Sequence, residues 1–394
     1  MAFLTNSQLR HGAWGSPAAD SAHSNRGVFA GAREGKIVWR EALAPELGSV
    51  STYPVADPAG NLYFSASRGG LQARTPQGAP ILIPHPSIGL KDELSLHVGP
   101  GPTLVAVCKN ALVCVGLDGM PRWRIEGFPG GSAMVAPDGH ALYVAQPGPG
   151  NSGYVLVALG LGTGIEHWRL PFPGRISGPA IDAEGTLYVV AHYDASPPYR
   201  LLAIDGKSGE LLWQQKVAPM LALREPRLFG DDLVLVASSE ILQAFYRDGR
   251  SAWTHALHDP GNPSVSAAGQ VAVLSGSPAT PQKPSLWTCW PDGPLHREVD
   301  PPRGLRFISD PLFDAGGNLY LMAHDESWQK MLLKYTPDLD LVWTGGVHGD
   351  KYSDIRLAVL PDAIVLACQI TAFSVAPGKV SAESLPSLLL ICIR

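Results

Sequence analysis

Seven side chains spread along the sequence could do polar chemistry if folding gathers them: Tyr53, His192, Arg224, Glu225, Asp310, His324 and Asp354. Three carboxylates with an arginine and two histidines could hold a cation, or serve as acid and base on a polar substrate. Their positions in the sequence are not arbitrary. When short apolar runs are aligned on their turns, Thr52, Ser132, Ser177, Arg224, Ser309 and Ser353 form one column, and Tyr53, Ala133, Gly178, Glu225, Asp310 and Asp354 form the next. Prolines 54, 179, 226 and 311 follow. At the far ends of a second set of runs stand Gln146, His192, His324 and Cys368. A structural reading competes with the chemical one, because serine and aspartate also hold turns by side-chain hydrogen bonds.

Other candidates carry less. His255 and His258 follow Trp253 in a segment expected to be a loop, where their spacing places them on no common face. GLGTG at 160–164 has the glycines of a phosphate loop but no helix follows it, so the helix N-terminus that would bind phosphate is missing. Neither a GxSxG elbow nor an HExxH pair occurs. His192 and His324 fall three repeats apart, which argues against one shared metal ion, and no metal site is expected.

The elements that position these residues come from an internal period. Trp39, Leu82, Trp123, Trp168, Trp213, Trp253, Arg297 and Trp343 recur at intervals of 40–46 residues, and six of these eight marks are Trp out of ten in the chain. That interval matches four strands per propeller blade and not the shorter helical repeats. Each copy reads as strand a, a Gly/Asp turn, strand b, a variable loop, strand c, a second turn, and strand d ending near the mark. Asp-Gly pairs at 118–119, 205–206, 248–249 and 292–293 sit where a tight c–d hairpin needs positive φ.

The expected fold is all-β: an eight-bladed propeller of four-stranded antiparallel blades. The C-terminal run Leu388–Ile393 resembles a strand c with no strand d after it, and Ile37–Trp39 is a strand d with nothing before it. Joining them closes the ring and removes both free edges. Residues 1–34 are then a lead-in segment packed on a single propeller domain, 35–394. In this geometry the b–c and d–a connections emerge on one face, around the channel mouth.

Composition supports this architecture. Gly (43) and Pro (36) are abundant and charged residues are only 16%, yet the 45% apolar content is enough for a core. A net charge of −5 gives no basic footprint, so no nucleic-acid partner is expected. No apolar run is long enough for a membrane span. The N-terminus lacks the pattern of a signal peptide, which points to the cytoplasm, or to the periplasm if a leader has been removed. The five cysteines form no CxxC and read as buried thiols.

The segment LLAIDGKSGELLWQQKV resembles the repeat of the PQQ-like, quinoprotein alcohol dehydrogenase-like β-propellers, in which an Asp-x-x-(Thr/Ser)-Gly-x-x-x-Trp stretch (here Asp205, Ser208, Gly209, Trp213) docks indoles between blades. The resemblance spans 35–394 and is sharpest in the fourth blade. It implies one of two activities: PQQ- and calcium-dependent dehydrogenation, or non-enzymatic binding as in the outer-membrane assembly lipoprotein. The dehydrogenases of this family carry a vicinal cysteine pair, which this sequence lacks, so no cofactor is expected. The leading expectation is a non-catalytic, monomeric propeller binding a protein partner or small polar ligand at its mouth or rim. The alternative is a lyase or hydrolase acting on a polar substrate there.

Overall fold

Continuous apolar runs of six residues become the middle strands of each sheet, because a propeller blade is covered on both faces by its neighbours. In blade 2, strands Thr103–Cys108 and Ala111–Gly116 are buried at every position, whereas the outer strand Pro121–Glu126 is exposed except near Trp123 and Ile125. The computed structural model describes residues 20, 26–27, 29–43, 54–66, 70–84, 93–101, 103–193, 199–220, 223–230, 232–276, 285–290, 295–347, 352–370 and 388–394. Among them are eight antiparallel sheets, six of four strands in simple order and two in which strand a is split in two. The expected eight-bladed, all-β propeller is the observed fold.

The core lies between blades. Val105, Val107, Leu112 and Cys114 of blade 2 pack with Ala133, Leu142, Val144 and Val157 of blade 3. Outer strands carry polar side chains such as Arg122, Arg124 and Glu126, or Gln214, Gln215 and Lys216, which discourages further strands from adding to the edge. The thiols of Cys108, Cys114, Cys289 and Cys392 are buried, with no disulfide. Burial pushes Cys114 and Cys392 up to about 11.

The ring closes as the unmatched ends require. Ile37–Leu43 pairs antiparallel with Leu388–Ile393, giving blade 8 three C-terminal strands and one N-terminal strand. Lys36 and Arg394 exchange backbone hydrogen bonds of 3.0 and 2.9 Å beyond the paired strands. The residues before this strand are tied to blades 7 and 8. Arg26 bridges Phe313 in parallel, Gly31 donates its N–H to Asp314 Oδ2 at 3.1 Å, and the Asp362 N–H meets the Ala30 carbonyl at 2.8 Å. The carbonyl of Ala32 accepts from Tyr320 Oη at 3.1 Å and Lys334 Nζ at 2.8 Å. Burial lowers the Lys334 pKa, opposed by the Asp314 carboxylate.

Conserving one geometry around the ring requires a repeated dock. The Trp168 indole of blade 3 lies over Gly209 in the c–d turn of blade 4, where a Cβ would stand 2.9 Å from the ring, and its Nε1 donates to the Gly206 carbonyl at 2.8 Å. Trp39, Trp123, Trp213 and Trp343 repeat this on Pro76, Leu161, Arg247 and Arg33 of the following turns. Gly209 has φ +77, a conformation that costs an L side chain strain. The Asp-Gly expectation therefore needs one adjustment. Gly119 and Gly249 do take positive φ, but at 205–206 the turn is longer and the left-handed residue is Gly209, and the pair at 292–293 lies outside the described residues. Asp205 instead caps the turn, accepting from the Ser208 N–H at 2.7 Å and its hydroxyl at 2.9 Å.

Candidate functional site: the channel mouth

The serine column is explained by the prolines beside it. Strand a of blade 4 breaks between Arg175–Ile176 and Ala180–Ile181, and that of blade 7 between Arg306–Phe307 and Leu312–Phe313. Pro179 and Pro311 stand at these breaks and have no N–H for the ladder. In each break a hydroxyl bonds to the neighbouring strand b. Ser177 Oγ accepts from the Val190 N–H and Ser309 Oγ from the Met322 N–H, both at 2.9 Å. These hydroxyls belong to blade construction.

Arg224, Glu225 and Asp310 are each engaged across a blade boundary. Ser132 of blade 3 donates to Glu225 Oε1 at 2.8 Å, over Gly178 of blade 4, where any side chain would collide with both groups. Arg224 donates to the Pro260 carbonyl and, at 3.2 Å, to Asp259 Oδ1. Asp310 accepts from the Asn262 N–H at 3.0 Å and from its Nδ2 at 2.8 Å. These contacts form a girdle that links blades 3, 5, 6 and 7 through serine, charged and asparagine side chains.

His192 and His324 occupy equivalent ends of strand b in blades 4 and 7, paired in register with Arg175 and Arg306. The His192 ring lies 4.7 Å from Tyr199. His324 is buried, its Nδ1 2.7 Å from the Asp325 carbonyl, and it stacks on Trp328 at 4.4 Å with planes 14° apart. Tyr53 lies outside the described residues. Asp354 lies in strand Tyr352–Leu360, and only its backbone is described. His255 is in strand d, Ser251–Ala256, and not in a loop; its ring sits 4.9 Å from Trp253 and burial lowers its pKa.

Three other buried carboxylates serve turns on the opposite face. Asp57, Asp182 and Asp314 each accept backbone N–H groups within their own a–b turn and a tyrosine hydroxyl from strand b, of Tyr63, Tyr188 and Tyr320 respectively. Burial, aided by the adjacent carboxylate, pushes those tyrosines well above the usual range. Asp182 is raised by burial and drawn back by Arg247.

Among the described residues no three His, Cys, Asp or Glu side chains converge as ligands for a metal ion.

Two features of this face were not singled out by sequence reasoning. Trp328 lies off the docking marks, in the b–c turn of blade 7. It is 63% exposed at φ +64, with Lys330 Nζ 5.8 Å above its ring. A tryptophan outside the repeat's register was the available signal. The second feature is a pair of open clefts of about 700 and 540 Å³, which share Pro129 and Pro147 and so form one trough from the rim to Ser132 and Glu225.

Residues 102–282 match the protein family described as PQQ_2, outer membrane protein assembly factor BamB. The PQQ-like repeat expected from the sequence is therefore present over those residues. No curated protein matches the sequence. Among solved structures, BamB from Moraxella catarrhalis is similar at 16% identity and a TM-score of 0.54, covering 91% of this chain and 97% of that one. Sqt1 from Saccharomyces cerevisiae is similar at 10% identity and a TM-score of 0.59, covering 89% and 97%. At these identities the likeness concerns the fold. No helix among the described residues is long and apolar enough to cross a membrane.

Proposed function

We propose that the protein is a non-catalytic propeller that binds another protein on the face carrying the b–c and d–a connections, and that it works as a monomer. The observation that carries this reading is the engagement of Arg224, Glu225 and Asp310 in interblade hydrogen bonds. A general acid or base must reach a substrate proton, and these groups are committed to the girdle. What the same face offers is contact area. Trp328 is a large exposed ring held in a left-handed conformation that costs a bulky residue about 1–3 kcal/mol, and indoles of this kind dominate protein interfaces. The description of the family matched by residues 102–282, an assembly factor, supports a role exercised through other proteins.

The test is site-specific photocrosslinking in cells. A benzophenone amino acid is placed at Trp328, Tyr193 or Arg175 on this face, and at Lys207, Asp118 or Glu184 on the opposite one. Protein adducts should form from the first set. Adducts confined to the second set, or none from either, would overturn the reading.

A further inference from the structure

The trough beside the mouth contains a polar group that the protein itself does not satisfy. Gln146 ends strand b of blade 3, Ala141–Pro147, with only 6% of its surface exposed. It lines the larger cleft, and its Oε1 has no hydrogen-bond partner. A buried amide oxygen without a donor costs about 1–3 kcal/mol, and native proteins keep few such groups. Three of the residues lining the cleft beside it, Pro129, Pro147 and Pro149, have no N–H to offer.

We infer that this cleft, between blades 2 and 3, receives an extended, uncharged segment of a partner protein, one of whose backbone N–H groups donates to Gln146 Oε1. Three observations select that occupant. The missing element is a donor, and an extended peptide presents one toward a given side every second residue. The walls carry Gly127, Gly148 and Gly150 between the prolines, so they project little side chain and admit another backbone. The carboxylates along the cleft are already neutralised: Arg169 grips Glu166 with bonds of 3.1 and 2.7 Å, and Arg124 holds Glu126. A charged segment therefore finds no unpaired counter-charge there. The continuation past Pro129 and Pro147 leads such a segment toward the mouth.

This inference rests on the proposed protein-binding face and adds the chemistry of what is bound. The test pans a displayed library of uncharged heptapeptides against the full chain, then measures the selected peptides by fluorescence anisotropy on the wild type, Gln146→Met and, on the opposite face, Lys207→Ala. Met keeps the length of the side chain and removes the amide. Binding should weaken about tenfold or more in Q146M, one lost hydrogen bond to a buried acceptor, and should be unchanged in K207A. The unfolding midpoint of unliganded Q146M should be unchanged or higher, because a buried unsatisfied group has been removed. Peptides that bind Q146M equally, failure to select any peptide, or a lowered Q146M midpoint would each overturn the inference. Face-specific crosslinks that persist unchanged in Q146M would sink the cleft while sparing the protein-binding reading. Gln146-dependent peptides with crosslinks only from the opposite face would do the reverse.

Discussion

Replacing Gly209 by Ala separates two costs that the docking turn combines. The first is conformational: at φ +77 an L side chain costs about 1–2 kcal/mol. The second is displacement of the Trp168 indole, since a Cβ would stand 2.9 Å from its Cδ2. Moving the ring stretches the 2.8 Å bond from Nε1 to the Gly206 carbonyl, worth about 1 kcal/mol, and loosens its packing by a similar amount. G209A should therefore lose about 3–4 kcal/mol. Gly304→Ala supplies the control, because Gly304 has nearly the same φ, +80, and nothing within 4 Å of the added methyl. It should lose only the first cost, about 1–2 kcal/mol. In a Trp168→Ala background the cost of G209A should fall to that of G304A, a coupling of about 2 kcal/mol between the two blades. Urea unfolding followed by far-UV circular dichroism reads these differences as midpoint shifts at constant m. Equal losses for G209A and G304A, or additive effects of W168A and G209A, would show that the glycine is not there for the indole.

One of the two breaks in the Trp series, at Arg297, gives a second prediction. Arg297 stands at a Trp mark and reaches the Asp338 carbonyl, while the turn position held by glycine elsewhere is Leu339, buried and at φ +64. Arg297→Trp should therefore not improve the ring but overpack it, lowering stability by about 1–3 kcal/mol in the same urea assay. The third concerns pH. Burial lowers His255 below its ordinary 6.5, so the unfolded chain binds the proton more readily. The stabilisation is full above pH 6.5 and is lost as pH falls toward the folded-state value. Thermal midpoints between pH 7.5 and 5 should decline more steeply for the wild type than for His255→Gln, and parallel profiles would refute the assignment.

The blade count and closure were legible because they depend on period and on ends that do not match. Trp39 to Trp343 set the blade interval, and GKIVW lacked a strand before it as LLLICI lacked one after it. The Arg297 exception was visible as a gap in the Trp series. Its cause, Leu339 in the following turn, needed the packing across the blade boundary. The mouth was legible only as a location. Sequence columns placed Arg224, Glu225 and Asp310 on one face, but their engagement depends on which residue of the next blades stands opposite. No period reveals that Glu225 meets Ser132 over Gly178, two blades back. Gln146 shared a column with His192 and His324, and only the surrounding prolines make its amide exceptional.

The two faces of the ring are under different physical demands, and that difference supports the proposed binding face. On the a–b and c–d face, glycine backbones and turn carbonyls receive the indoles of neighbouring blades, and Arg247 ties Asp182 and Glu184 of blade 4 to the Gly230 carbonyl of blade 5. A change there is paid for in ring stability, so those turns are constrained to resemble one another. On the b–c and d–a face the girdle at the mouth is comparably tied, but the connections outside it are not part of the docking scheme. There a turn can place a tryptophan at positive φ, or leave an amide oxygen unsatisfied, without weakening the closure. Trp328 and Gln146, each costly where it stands, both lie on this face, as the proposed binding surface requires.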